Sequence, residues 1–187
     1  EKPVLILTAG MIGSGKSYQT RHLASRLGAE VIRMDVLRKE LLHIAPSERH
    51  ADPFGQGIYS DDMSRKTYGR AFELAAGLIR QGKPVMIDAS FRSRADRAQA
   101  VDIAGKLQIP FYFIECTCPD DVVKIRLDKR MQDQDNPSDG RWEILQEQKK
   151  HYEPVHEIPA GCYFKIDTSA DPEIIRRDIV RTIKMAE

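Results

Sequence analysis

The feature that most constrains this chain is a junction. An unbroken apolar run, VLILT (4–8), leads straight into AGMIGSGKS (9–17), and a helical pattern starts at Lys16. An apolar run that short, without polar alternation, reads as a strand buried on both faces in the middle of a parallel sheet. The turn that follows spends Gly10, Gly13 and Gly15, then Lys16 and Ser17. Glycine serves any tight turn. The spacing G-x-x-x-x-G-K-[ST], between a strand and a helix, predicts more: a loop whose backbone N–H groups close around a phosphate chain.

Each residue type has a physical task in such a loop. Gly10, Gly13, Ser14 and Gly15 supply inward-turned amides, with Tyr18 following in the first helical turn. The helix N-terminus adds unpaired donors and a positive dipole end, worth about 0.3–2 kcal/mol per anionic contact. Lys16 sets a point charge against the outer phosphates, and Ser17 offers a hydroxyl to Mg²⁺. The expected ligands are a phosphate chain and Mg²⁺.

The rest of the chain repeats the alternation. Strands are expected at 30–34, 84–90, 110–117 and 162–167, and helices at 16–27, 35–43, 60–82, 93–107, 119–132, 141–152 and from 171 onward. Ser60 reads as an N-cap followed by Asp61 and Asp62. Five strands separated by helices predict an α/β fold, a five-stranded parallel sheet with right-handed crossovers. The expected organisation is one domain over 1–187. Residues 45–59 lack any period and form a candidate acceptor loop, and 126–140 a candidate lid ending in the breaker-rich DQDNPSDG.

In such sheets ligands sit beyond the carboxyl ends of the strands, so residues at strand ends are the candidates. After the second strand come Asp35 and Arg38, three apart on one helix face. Asp35 would orient an acceptor hydroxyl, and Arg38 would meet the acceptor or a phosphate. Asp88 ends the third strand, where a carboxylate holds Mg²⁺ or its waters. Behind it lie Arg92, Arg94 and Arg97, of which Arg94 and Arg97 are favoured as cations facing the phosphates. Arg126 and Arg130, four apart, would swing onto the nucleotide with the lid. Asp167, Thr168 and Ser169 end the fifth strand, near an expected adenine pocket.

Composition narrows the partners. The net charge is +1, from 29 basic and 28 acidic residues, so nothing demands nucleic acid or a membrane. No apolar run approaches the ~18 residues of a membrane span, and no secretory leader pattern opens the chain. Cys116, Cys118 and Cys162 cannot all pair and read as reduced thiols of a cytoplasmic protein. The chain opens on Glu1, which leaves room for a longer parent protein or a disordered start.

With these motifs assembled, the chain resembles the small P-loop kinases related to zeta toxin, gluconate kinase and the kinase domain of polynucleotide kinase. It is most similar in pattern to predicted kinases with an AAA-type P-loop domain, sometimes fused to an aminoglycoside-phosphotransferase-like domain. The resemblance rests on GMIGSGKS (10–17), RMDVLRKEL (33–41), IYSDDMSRKTYGRAFELA (58–75), VMIDASFRSRADR (85–97) and RLDKR with NPSDG (126–140). It implies a three-layer, adenylate-kinase-like P-loop NTPase fold with a small lid. It also implies Mg-ATP and transfer of a phosphoryl group to a hydroxyl. By position it gives Lys16 and Ser17 to phosphates and metal, Asp35 and Arg38 to the acceptor, and Arg126 or Arg130 to the lid. A polynucleotide kinase would carry a more amide-rich motif where this chain has DASFRSR. The expectation is therefore a small hydroxyl-bearing acceptor, with a polynucleotide 5′-hydroxyl kinase and a nucleotide-binding regulatory domain as alternatives.

Overall fold

The computed structural model describes residues 3–45, 48, 52–132 and 141–185; the stretch 133–140 of the expected lid, and part of the acceptor loop, lie outside them. The strands are β1 Leu5–Ala9, β2 Glu30–Arg33, β3 Val85–Asp88, β4 Phe111–Thr117 and β5 Tyr163–Asp167. The helices are α1 Lys16–Leu27, α2 Met34–Leu41, α3 Asp61–Arg80, α4 Arg94–Leu107, α5 Asp120–Gln132, α6 Trp142–Lys150 and α7 Glu173–Met185. The five strands form one sheet in the order β2-β3-β1-β4-β5, and every neighbouring pair is parallel.

β1 is the centre of that order, which explains its composition. Leu5, Leu7 and Ala9 join a core with Val85, Ile87 and Phe113, covered by Tyr68, Ala71, Phe72, Ala75 and Ile79 of α3 and by Ala100 and Ala104 of α4. Val4 and Ile6 point the other way, into a second core with Met86, Ile114, Cys116 and Ile166 under Leu23 and Leu27 of α1 and Ile179 and Ile183 of α7. Alternate strand residues face opposite sides, so a strand covered on both must be apolar throughout. Each fully buried Leu or Ile stabilises by about 1.5–3 kcal/mol. A third, smaller cluster packs Val123, Leu127 and Leu145 of α5 and α6 against Met11 and Ile12. It holds two helices directly on the glycine-rich loop.

Boundaries match the expected elements with small shifts. α1 spans the predicted residues and stops at Gly28, which adopts φ 59°. Ser60 caps α3 by accepting a hydrogen bond from the Met63 N–H. Met34, expected at the end of a strand, opens α2 instead. β3 stops at Asp88, two residues short of the expected end, although the Ala89 N–H still donates to the Thr8 carbonyl and the Ser90 carbonyl still accepts from Gly10 N. Of residues 45–59, Gly57–Tyr59 form a single 3₁₀ turn.

Candidate active site

The glycine-rich loop leaves β1 at the middle of the sheet and enters α1 with Gly15 as its N-cap, at φ 81° and with no side-chain cap. The Tyr18 N–H donates to the Gly15 carbonyl at 3.1 Å, while the amides of Lys16 and Ser17 before it have no capping side chain and no earlier turn to donate to. The loop's shape is enforced on both sides. Gly10 has φ +151°, and a Cβ there would meet the Ser14 Oγ at 2.5 Å and the Cys116 carbonyl at 2.7 Å. The Ile12 N–H donates to Gln148 Oε1 of α6 at 2.9 Å, and Thr168, just past β5, donates its hydroxyl to the Ser14 carbonyl at 2.6 Å. Lys16 makes no ion pair among the described residues and faces a cleft of about 730 Å³.

The same cleft gathers the strand-end candidates. Gly13, Gly15, Lys16, Ser17, Tyr18, Asp35, Arg38, Asp88 and Arg130 all line it. Asp88 is 4% exposed, stands in register with Thr8 of β1, and has a buried Oδ1 without a hydrogen-bond partner, as does the Thr8 hydroxyl. Buried polar atoms are rarely left unpaired, so these two oxygens suit water or a hydrated cation between sheet and phosphates. Asp35 is fixed by Arg33 Nη2 at 2.7 Å and by the Val36 N–H at 2.9 Å. The Arg130 guanidinium is pushed below the usual arginine range by burial first and by Arg126 second, while Asp35 and Asp88 oppose the shift. Its placement therefore brings a cation from α5 to both carboxylates.

The link from β3 to α4 sorts the three arginines that follow. Phe91 has φ 45°, a left-handed conformation that is costly for a bulky side chain, of order 1–3 kcal/mol. It is fully buried against Tyr68 and Phe113, with ring centroids at 5.3 and 6.5 Å. Its N–H donates to the Tyr68 hydroxyl at 3.2 Å, and its carbonyl accepts from Arg97 Nη1 at 2.8 Å. The turn sends Phe91 into the core and Arg92 into the cleft, where the Arg92 guanidinium lies 4.3 Å from the Phe54 ring centre. The preference for Arg94 and Arg97 as phosphate-facing cations is thereby corrected. Arg97 is 0% exposed and paired with Glu157 at 2.5 Å, because its guanidinium is consumed in holding the turn. Arg94 is exposed and gives its backbone N–H to Glu153.

Other residues reach the cleft without having been singled out from the sequence. Tyr59 lies under Arg38, 5.2 Å from guanidinium carbon to ring centre, and Asp96 of α4 lines the same wall. Burial raises the Asp96 carboxyl to about 6 against the pull of Arg92 and Arg97. Burial, with Asp96 nearby, raises the Tyr68 phenol to about 12. Asp96 was masked by the pattern Ser93-x-x-Asp96, which signals a helix start; Ser93 does cap α4. Conversely, Arg126 lies in the wall of the phosphate loop, donating to the Gly13 carbonyl at 3.3 Å, the Thr168 hydroxyl at 2.9 Å and the Thr168 carbonyl at 2.6 Å. Asp167 and Ser169 are exposed and bond to each other.

Comparison with known proteins bears on the fold and the family. Mouse adenylate kinase isoenzyme 5 is 27% identical over 140 residues, covering 74% of this chain and 24% of that protein. The chain spans about a quarter of the length of the curated relatives it matches. In fold it is similar to a sugar kinase from Janibacter sp., with TM-score 0.70, 19% identity and coverage of 100% of this chain and 96% of that one. It is also similar to the Mycobacterium tuberculosis APS kinase in complex with AMPPNP and APS, with TM-score 0.67, 16% identity and 98% of both chains covered. Among the described residues no helix is long and apolar enough to cross a membrane. A family profile described as "AAA domain" matches residues 5–155. With that match over most of its length, and with a glycine-rich loop at the centre of a five-stranded parallel sheet that the sugar kinase and the APS kinase share in fold, the chain belongs to this AAA domain family.

Proposed function

We propose that the chain is a phosphotransferase that moves the γ-phosphoryl group of Mg-ATP to a hydroxyl of a small molecule. The observation that carries this reading is a single cleft shared by Lys16 and the uncapped end of α1, on one side, and by Asp35, Arg38 and Arg130, on the other. A loop that only bound nucleotide would not need the second set. The fold neighbours named as a sugar kinase and an APS kinase support a small acceptor. A cytoplasmic location and a single domain over 1–187 go with the same reading.

In this scheme the amides of Gly13, Gly15 and Lys16, with the Lys16 ammonium, hold the phosphate chain in line. Mg²⁺ would be held by the Ser17 hydroxyl, with Asp88 acting through water, and would supply charge neutralisation of the phosphates. Asp35, aimed by Arg33 and by its own helix terminus, orients the acceptor hydroxyl and receives its proton. The hydroxyl oxygen forms a bond to the γ-phosphorus as the bond from that phosphorus to the bridging oxygen breaks, and ADP leaves with the electron pair. Because the transition state is loose, aiming the oxygen matters more than early deprotonation. Arg130 stabilises charge on the transferring group, at about 3–4 kcal/mol if it acts as a single preorganised donor does, and Arg38 meets the acceptor. Arg126 sets the loop beneath the nucleotide.

The test is a panel of hydroxyl compounds incubated with Mg-ATP and read for phosphorylated products by mass spectrometry, beside calorimetric titration with Mg-AMPPNP. Product from at least one small acceptor, abolished by Lys16→Ala and cut at least a hundredfold in kcat by Asp35→Asn, supports the assignment. Heat of AMPPNP binding with no product from any acceptor would leave a nucleotide-binding regulatory domain in its place.

A further inference from the structure

The acceptor wall carries two arginines that no carboxylate among the described residues reaches with an ion pair. Arg38 projects from α2 onto the Tyr59 ring, and Arg92 projects from the β3–α4 turn onto the Phe54 ring. Neither makes an ion pair among the described residues, and the buried Nε of Arg38 has no hydrogen-bond partner. The carboxylates that line the cleft, Asp35, Asp61, Asp88 and Asp96, make no ion pair with either arginine among the described residues. Asp35 is taken by Arg33 and Asp62 by Lys66 and Arg65. Asp96 lines the same wall; burial raises its carboxyl to about 6 against the pull of Arg92, so near pH 7 it offsets part of one charge and leaves the other. Arg92 also depresses the Arg38 guanidinium, after the larger effect of burial, so the two cations feel one another.

Holding two like charges in one partly buried wall is unfavourable unless something opposite arrives between them. A guanidinium laid flat on an aromatic ring keeps its N–H edge free for planar, bidentate bonding to an oxyanion. We propose that Arg38 and Arg92 form an oxyanion subsite, so that the acceptor is a small hydroxyl compound bearing a carboxylate or phosphate. The subsite rests on the phosphotransferase reading for its purpose but not for its binding chemistry. Phe54, Tyr59 and Tyr68 supply the apolar walls of the same half of the cleft, which suits a compact acceptor with one charged end. Asp35 lies three residues before Arg38 on α2, and an acceptor held by its anion places its hydroxyl on the carboxylate side of the cleft.

The probe for the subsite is inorganic phosphate, titrated calorimetrically into protein already saturated with Mg-AMPPNP so that the phosphate loop is filled. Saturable binding, weakened at least tenfold in Arg38→Met and in Arg92→Met and partly restored in Arg92→Lys, is the expected result. The AMPPNP titration run on each variant shows that a folded, loaded site is being compared. No saturable phosphate binding to the loaded protein, or binding indifferent to both substitutions, overturns the subsite whether or not transfer is ever detected. In the turnover arm, matched pairs of hydroxyl compounds with and without a carboxylate or phosphate are compared. A kcat/KM at least tenfold higher for the anionic member, with the difference lost through KM in Arg92→Met, supports the assignment. Equal use of neutral polyols, or turnover confined to 5′-hydroxyl oligonucleotides, overturns it while leaving phosphoryl transfer intact.

Discussion

Replacing Arg97 by methionine separates a structural cation from a catalytic one. In the parent, Arg97 Nε pairs with Glu157 at 2.5 Å, and its Nη1 serves the Phe91 and Arg92 carbonyls at 2.8 and 3.1 Å. Methionine fills much of the space but leaves Glu157, whose side chain is 14% exposed, without its partner. Breaking such a pair from one side costs about 3–5 kcal/mol. A chain of this length loses roughly 2–4 °C per kcal/mol, so the thermal midpoint should fall by about 6–20 °C. Because the Phe91 turn is then freed from its clamp, Arg92 loses its direction and phosphate binding to the nucleotide-loaded protein should weaken as well. The double variant Arg97→Met, Glu157→Met should regain part of the lost midpoint, since an apolar pair of similar volume carries no unpaired charge. Scanning calorimetry checks the midpoints, and calorimetric titration the phosphate binding. A midpoint within about 2 °C of the parent, together with a tenfold loss of Mg-AMPPNP affinity, would refute the structural assignment.

Three further outcomes follow from the geometry. Gly13→Ala, at φ +72° and with its new Cβ 2.6 Å from Val123 Cγ1, should cost about 1–3 kcal/mol in urea unfolding and abolish AMPPNP binding. Thr168→Val keeps the volume but leaves the Ser14 carbonyl without its donor and Arg126 without one acceptor; AMPPNP affinity should weaken by about 1–3 kcal/mol, read by calorimetry. Asp96 binds its proton more tightly folded, near 6, than unfolded, near 3.8. Its neutral form therefore favours folding below that window, and the advantage is lost as pH rises through it. Asp96→Asn should raise the midpoint relative to the parent at about pH 7 and not at about pH 4, and equal differences at both would refute the burial argument.

How much of this was readable beforehand depended on whether a residue's role was local. The strand-to-helix junction carries its whole meaning within ten residues, so Gly10 to Ser17, and α1 after them, could be placed from spacing alone. Asp35 and Asp88 followed from one topological rule about strand ends. The arginines after β3 were misjudged because the decision lies in the backbone of Phe91. A left-handed phenylalanine has no sequence signature, and the groups that hold it, Tyr68 directly and Glu157 through Arg97, are 23 and 66 residues away. Thr168 and Gln148 touch the phosphate loop across 154 and 136 residues, distances over which no local periodicity speaks. Asp96 carried a true local signal, the helix start, which hid its second surrounding.

The Thr168 clasp has a consequence for where this unit can be cut. The family profile ends at residue 155, yet the hydroxyl that seats the Ser14 carbonyl comes after β5, the sheet's last-made edge. A fragment trimmed to the profile would keep every letter of the glycine motif and lose its latch. On a growing polypeptide, too, the glycine-rich loop gains this clasp only when the closing edge strand arrives.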